Sequence, residues 1–204
     1  MIINYDKKFL FVHIQKTAGS SISKNLMLID GSEFLHYPHT SIKHAQLTNK
    51  QNNCFKFAFV RNPWDRLYSW YCMILAKGSS SVFYKYVLQN SNNFSEFLDL
   101  NEIIKDDRID QFNTSIPNWK SISYNQLDYL TDITNKLNMD FIGRFENIEY
   151  DFRYICNILN IEYTPLQHIN KSNNENYKLA YSDKDIEKVY KLYKRDVDYF
   201  DYNF

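Results

Sequence analysis

Apolar positions gather in short, nearly continuous runs, each followed by a polar turn and then by an apolar stripe at helical spacing. The first run, Lys8-Phe9-Leu10-Phe11-Val12-His13-Ile14, reads as a strand buried on both faces, because a one-sided strand would alternate. Gln15-Lys16-Thr17-Ala18-Gly19-Ser20-Ser21 follows, and then Ile22, Leu26 and Ile29 at helical spacing, with Ser20 or Ser21 expected as the N-cap. The same grammar returns at Cys54-Phe55-Lys56-Phe57-Ala58-Phe59-Val60. Arg61 closes that run, Asn62 caps the next helix and Pro63 opens it, with Trp64, Leu67, Tyr68, Tyr71, Ile74 and Leu75 as its stripe. A third strand over 140–145 precedes a helix carrying Ile148, Phe152, Ile155 and Leu159 on one face. Strands alternating with helices imply an α/β fold in which helices flank a central, mainly parallel sheet.

Further helices are expected over 124–137, through Leu127, Leu130, Ile133 and Leu137, and from Asp183 onward. In the latter, Ile186, Val189, Tyr190, Tyr193, Val197 and Phe200 form one stripe behind a Ser182-to-Asp185 capping pattern. Between 78 and 120 the signals are weaker and more polar, with Ser95 expected to cap a short helix over 97–100. No repeat or Gly/Pro-rich linker divides the chain, so 1–204 reads as a single domain with an acceptor-side insertion at 78–120.

Composition narrows the function. Lys plus Arg number 24 and Asp plus Glu number 24, so nothing marks a nucleic-acid coat, and any anion site must be local. The 3 cysteines, Cys54, Cys72 and Cys156, are widely spaced and form neither a disulfide framework nor a zinc cluster, so no metal is expected. The first apolar run is too short for a membrane span and shows no cleavage site. The chain starts close to its first strand, and a cytoplasmic location is expected.

The turn Lys16-Thr17-Ala18-Gly19-Ser20-Ser21 leads into a helix N-terminus, where backbone N–H groups and the helix dipole favour a phosphate or sulfate. Lys16 adds charge, and Thr17, Ser20 and Ser21 add hydroxyls. It is not a Walker A loop, since its Lys precedes the only Gly. An ordinary strand-to-helix turn with a good cap is the plain alternative. Arg61 stands at the carboxyl end of a buried strand, where open α/β sheets bind ligands, and Ser69 lies about two turns into the next helix. Without the rest of the pattern, the two would read as a solvated Arg and a surface Ser.

Three segments together carry a resemblance. Phe11-Val12-His13-Ile14-Gln15-Lys16-Thr17-Ala18-Gly19-Ser20-Ser21, then Phe57-Ala58-Phe59-Val60-Arg61-Asn62-Pro63-Trp64-Asp65-Arg66-Leu67-Tyr68-Ser69, then Phe141-Ile142-Gly143-Arg144-Phe145-Glu146-Asn147 resemble the carbohydrate sulfotransferase family, in order and in spacing. The resemblance runs nearly end to end and includes Asn170-Lys171-Ser172 in the tail. It implies a P-loop-like three-layer fold and 3′-phosphoadenosine 5′-phosphosulfate (PAPS) as donor, with 3′-phosphoadenosine 5′-phosphate as product. In that family the first loop, here Lys16 to Ser21, surrounds the 5′-phosphosulfate, and Arg61 and Ser69 match the residues on the 3′-phosphate. Gln15 stands where the family usually has Pro, and Ser20 where Thr is common. An Arg often found after the Asn-x-Ser motif is absent, leaving Lys171 or Lys178 as the nearest substitute.

Sulfuryl transfer to a hydroxyl needs in-line attack, a base, and positive charge on the leaving oxygen, which Lys16 supplies without a metal. The 5 histidines are the candidate bases. His13 sits in the buried strand and reads as a packed core residue. His36, His39 and His44 fall in the interval before the second strand; the family's His followed by Thr or Ser matches His39, and His36 is the alternative. The expected acceptor is a hydroxyl of a saccharide or glycoconjugate. Two rival readings are an inactive sugar- or partner-binding module on the same fold and an atypical P-loop phosphotransferase.

Overall fold

The computed structural model describes residues 1–36, 38–78, 82–100, 120–167 and 176–204. Backbone proximity groups the chain into two units, Met1–Arg61 with Gln126–Asn170, and Asn62–Asn125 with Lys171–Phe204.

The first unit is built on a 5-stranded sheet of order β3-β1-β2-β4-β5, with β1 Ile2–Asn4, β2 Phe9–Val12, β3 Ser32–Phe34, β4 Phe55–Val60 and β5 Phe141–Arg144. Its centre is parallel: β2 pairs β4 with Phe11 opposite Phe57, and β4 pairs β5 with Phe59 opposite Gly143. The short strands β1 and β3 add an antiparallel edge that the hydrophobic pattern does not announce. Helix α1, Gly19–Leu26, and helix α9, Ile148–Leu159, bring Ile22, Leu26, Phe152, Ile155 and Leu159 onto one sheet face, where Ile2, Phe9, Phe11, Phe57 and Phe59 wait. Residues of the opposite parity, Ile3, Leu10, Val12, Ala58 and Val60, are buried too, which is why β2 and β4 read as continuous apolar runs. Gly143 is glycine for a packing reason, since a Cβ there would come within 2.5 Å of the Phe59 ring.

Two local expectations in this unit are corrected. The N-cap of α1 is Ala18, at φ 60° and ψ 17°, and not Ser20 or Ser21. The left-handed Ala18 turns the chain into the helix early, so both serines fall in its first turn. The expected helix over 124–137 shrinks to α8, Leu127–Leu130. Asp132 stops it: its carboxylate accepts from Thr134 N at 2.8 Å and Lys136 N at 3.1 Å, a turn that competes with helical bonding.

In the second unit, helix α4, Pro63–Lys77, begins as expected, with the Asn62 side chain accepting from Trp64 N and Pro63 in the first turn. Helix α6, Phe94–Leu100, is capped by Asn93, whose side chain accepts from Glu96 N at 3.0 Å. The expected cap, Ser95, instead donates to Asp185 at 2.8 Å. Ser182 and Asp185 form the capping box of α10, Asp183–Leu192. The C-terminal stripe is split in two at Tyr193, beyond which α11 runs Lys194–Phe200. Tyr193 takes φ −113° and ψ 27° while its hydroxyl donates to the carbonyl of Ile122.

Candidate active site

The parallel strands of the first unit end on one side of the sheet, and their exits bring the candidate residues together. Past Val12, the chain runs through His13 and Ile14 into a loop in which Lys16 and Ala18 both take positive φ, 68° and 60°. Such values are costly for residues with a Cβ and persist only where surrounding contacts enforce them. One such contact is local: Thr17 is buried and its hydroxyl donates to Ile14 O at 3.0 Å. Thr17 therefore spends its hydroxyl on the loop. Helix bonding starts with Ser21 N and Ile22 N onto Ala18 O, at 3.0 and 3.2 Å. The amides of Gly19 and Ser20 precede those bonds and belong to the donors that every helix N-terminus leaves over. Ser20 is exposed and Ser21 buried. No acidic side chain occurs between 13 and 21, so none within the turn itself opposes an anion.

Arg61 stands one residue past β4 and is 6 % exposed. Its Nη1 donates to Lys16 O at 3.0 Å, and its guanidinium carbon lies 3.9 Å from the centre of the Phe145 ring, just beyond β5. The same side chain thus ties together the exits of β2, β4 and β5.

His39 also lies here, at φ 74°, with Nδ1 3.1 Å from His13 O. A carbonyl only accepts, so Nδ1 carries the proton and the lone pair of neutral His39 sits on Nε2. The two imidazoles meet edge to face at 4.4 Å between ring centres. His13 is held far below the usual histidine range, at about 3, first by desolvation and then by the nearby positive charge of His39 and the amino terminus. It is a neutral packing residue near pH 7, although it stands half-buried one residue beyond β2 and not inside the strand. His36 lines an apolar cavity of about 460 Å³ with Phe34, Leu35 and Pro38. The ring of His44 serves the cap of a short turn, 2.7 Å from Ser41 Oγ.

A family model described as the sulfotransferase family matches residues 1–203. The chain belongs to the sulfotransferase family. No curated protein and no solved structure gives a match. Membership supports transfer of a sulfuryl group. Lys16, Thr17, Ala18, Gly19, Ser20, Ser21, Arg61 and His39 of this sulfotransferase all lie in the first unit. Ser69 lies in α4 of the other unit and is 2 % exposed. Lys171 and His168 lie outside the described residues. Among the described residues, no group of 3 or more His, Cys, Asp or Glu side chains is arranged to hold a metal ion, and no helix is long and apolar enough to cross a membrane.

Sequence reading missed what steadies this site. Gln126 is fully buried and hydrogen-bonds both backbone groups of Arg61, and Tyr129, 2 % exposed, donates to Gln15 Oε1 at 2.9 Å. Neither residue belongs to the apolar stripe of Leu127, Leu130, Ile133 and Leu137 read over 124–137. Their partners lie 65 and 114 residues away, beyond any local pattern.

Proposed function

We propose that this sulfotransferase moves the sulfuryl group of PAPS to a hydroxyl of a saccharide or glycoconjugate, with no metal. The observation that carries this reading is the loop from Lys16 to Ser21, free of acidic side chains and fastened to Arg61 at the ends of parallel strands. Its donor set suits a phosphosulfate: leftover helix amides, one lysine and hydroxyls. When bound, PAPS supplies an activated sulfur whose bond to the 5′-phosphate oxygen gives way to the acceptor oxygen.

Around it the chain does the rest. Lys16 sets positive charge where the leaving oxygen gains negative charge. Neutral His39, its proton fixed on Nδ1 by the His13 carbonyl, offers Nε2 to the acceptor hydroxyl as general base. Arg61 is assigned the 3′-phosphate; a guanidinium has five donors, so a bond to Lys16 O is compatible with gripping a phosphate. Lys171 is assigned a further cofactor contact. The single family match across both units supports reading them as one sulfotransferase domain, a P-loop-like one by its first strand-loop-helix. A site in the cytoplasm is part of the same proposal.

The test is transfer of labelled sulfate from PAPS to a broad glycan panel, alongside a thermal shift with 3′-phosphoadenosine 5′-phosphate. Ligand at a hundred times its Kd stabilises by about 2.7 kcal/mol. No shift with the nucleotide, or a shift with ATP alone, sinks the donor assignment. A shift without transfer to any glycan sinks the acceptor class.

A further inference from the structure

Four buried side chains form a closed circuit around the site. Gln126 Nε2 donates to Arg61 O at 2.8 Å while Arg61 N donates to Gln126 Oε1 at 2.8 Å. Arg61 Nη1 donates to Lys16 O at 3.0 Å, Lys16 is the neighbour of Gln15, and Gln15 Oε1 accepts from the Tyr129 hydroxyl at 2.9 Å. Tyr129 N bonds back to Gln126 O at 3.1 Å, which closes the ring through one turn of backbone. Gln126, Gln15, Tyr129 and Arg61 are 0, 5, 2 and 6 % exposed.

The circuit is fastened at the start of a loop that needs enforcement, since Lys16 takes φ 68° and Ala18 φ 60°. A proline at 15 would restrict its own φ covalently; a glutamine restricts nothing by itself. Here both the side chain of Gln15 and the carbonyl of Lys16 are held from outside the loop. One strut comes from α8 directly, through Tyr129, and the other passes through Arg61, whose own backbone Gln126 grips like an extra rung beyond β4. We infer that Gln126 and Tyr129 are positioning residues: they hold the Lys16 loop in its anion-binding shape, acting through Arg61 and Gln15 without touching the substrate.

This inference rests on the proposed PAPS site for its functional meaning, but its physical content is tested without any ligand. Tyr129→Phe keeps the ring and removes only the strut. In the ligand-free chain, hydrogen exchange of Ser21 and Ile22, whose amides bond Ala18 O, should accelerate about tenfold, while α9 is unchanged; tenfold corresponds to about 1.4 kcal/mol, within the range for one buried hydrogen bond. Affinity for 3′-phosphoadenosine 5′-phosphate, by calorimetry, should fall by a similar factor. Gln15→Leu should also accelerate that exchange, and the double variant Gln15→Leu with Tyr129→Phe should fall short of the sum of the two single effects, because the Tyr129–Gln15 bond is lost in both. Unchanged exchange at Ser21 and Ile22, equal acceleration in α9, or additive effects in the double variant would overturn the inference. If the wild-type chain fails to bind the nucleotide, the PAPS assignment falls, and the exchange data still decide the role of the circuit.

Discussion

The imidazole of His13 lies directly against Gly19: a Cβ at residue 19 would stand 1.9 Å from His13 Cδ2 and 2.1 Å from Nε2. The glycine of the loop is thus needed for contact and not for an unusual φ. It lets the helix start beside the strand exit, and His39 packs edge to face on the same imidazole, with 4.4 Å between ring centres.

Gly19→Ala should therefore destabilise the fold by about 1–3 kcal/mol, the usual cost of overpacking, and should abolish nucleotide binding by displacing α1. Adding His13→Ala should restore part of the stability, because it removes the ring that the new methyl group meets. Urea unfolding of the single and double variants checks this; equal midpoints for wild type and Gly19→Ala would contradict the packing argument.

His39→Asn should leave nucleotide affinity within about threefold of wild type and lower kcat by 10²–10⁴-fold, a range of about that size being typical for a lost general base. The decisive measurement is a split between calorimetric Kd and single-turnover rate. If His36→Asn and not His39→Asn shows the loss of rate, the base has been assigned to the wrong side of the loop.

Acid should weaken the fold through His13. Its folded value is about 3, against 6.5 unfolded, so between those limits the unfolded chain binds a proton that the folded chain refuses. That contribution to stability is fully present above about pH 6.5, is lost as pH falls toward 3, and is constant below. The group's slope cannot exceed about 1.4 kcal/mol per pH unit. His13→Asn should show a smaller drop in unfolding free energy between pH 7 and pH 4.5 than wild type, and parallel curves would mean that His13 titrates normally.

Arg61→Ala removes the bond to Lys16 O, the stack on Phe145 and the proposed 3′-phosphate contact together, and should weaken nucleotide binding by at least about thirtyfold, some 2 kcal/mol. Arg61→Lys should recover little of it, since an ammonium replaces neither the planar stack nor the fork. Comparison with the analogue lacking the 3′-phosphate separates the roles: if Arg61→Ala costs both nucleotides equally, Arg61 acts on the loop alone.

The sequence by itself determined the elements whose information is local. The buried strands at Phe9–Val12 and Phe55–Val60 follow from unbroken apolar runs, and the start of α4 follows from Asn62, Pro63 and Trp64 being neighbours. The loop after β2 and the arginine after β4 were legible for the same reason: a strand end, a polar turn and a helix start are written within a few residues. Where a competing local bond exists, the same reasoning failed, as at Asp132, whose carboxylate ends α8, and at Tyr193, where the C-terminal stripe breaks. Only the tertiary structure decided how the site is held. It placed Gln126 on the backbone of Arg61, Tyr129 on Gln15, and His13 between Gly19 and His39. Apart from His13 with Gly19, each of those contacts joins residues that lie far apart along the chain and meet only in the fold. Neither residue of such a pair carries a mark of the other, because hydrogen bonds and van der Waals contact depend on separation in space and not along the chain.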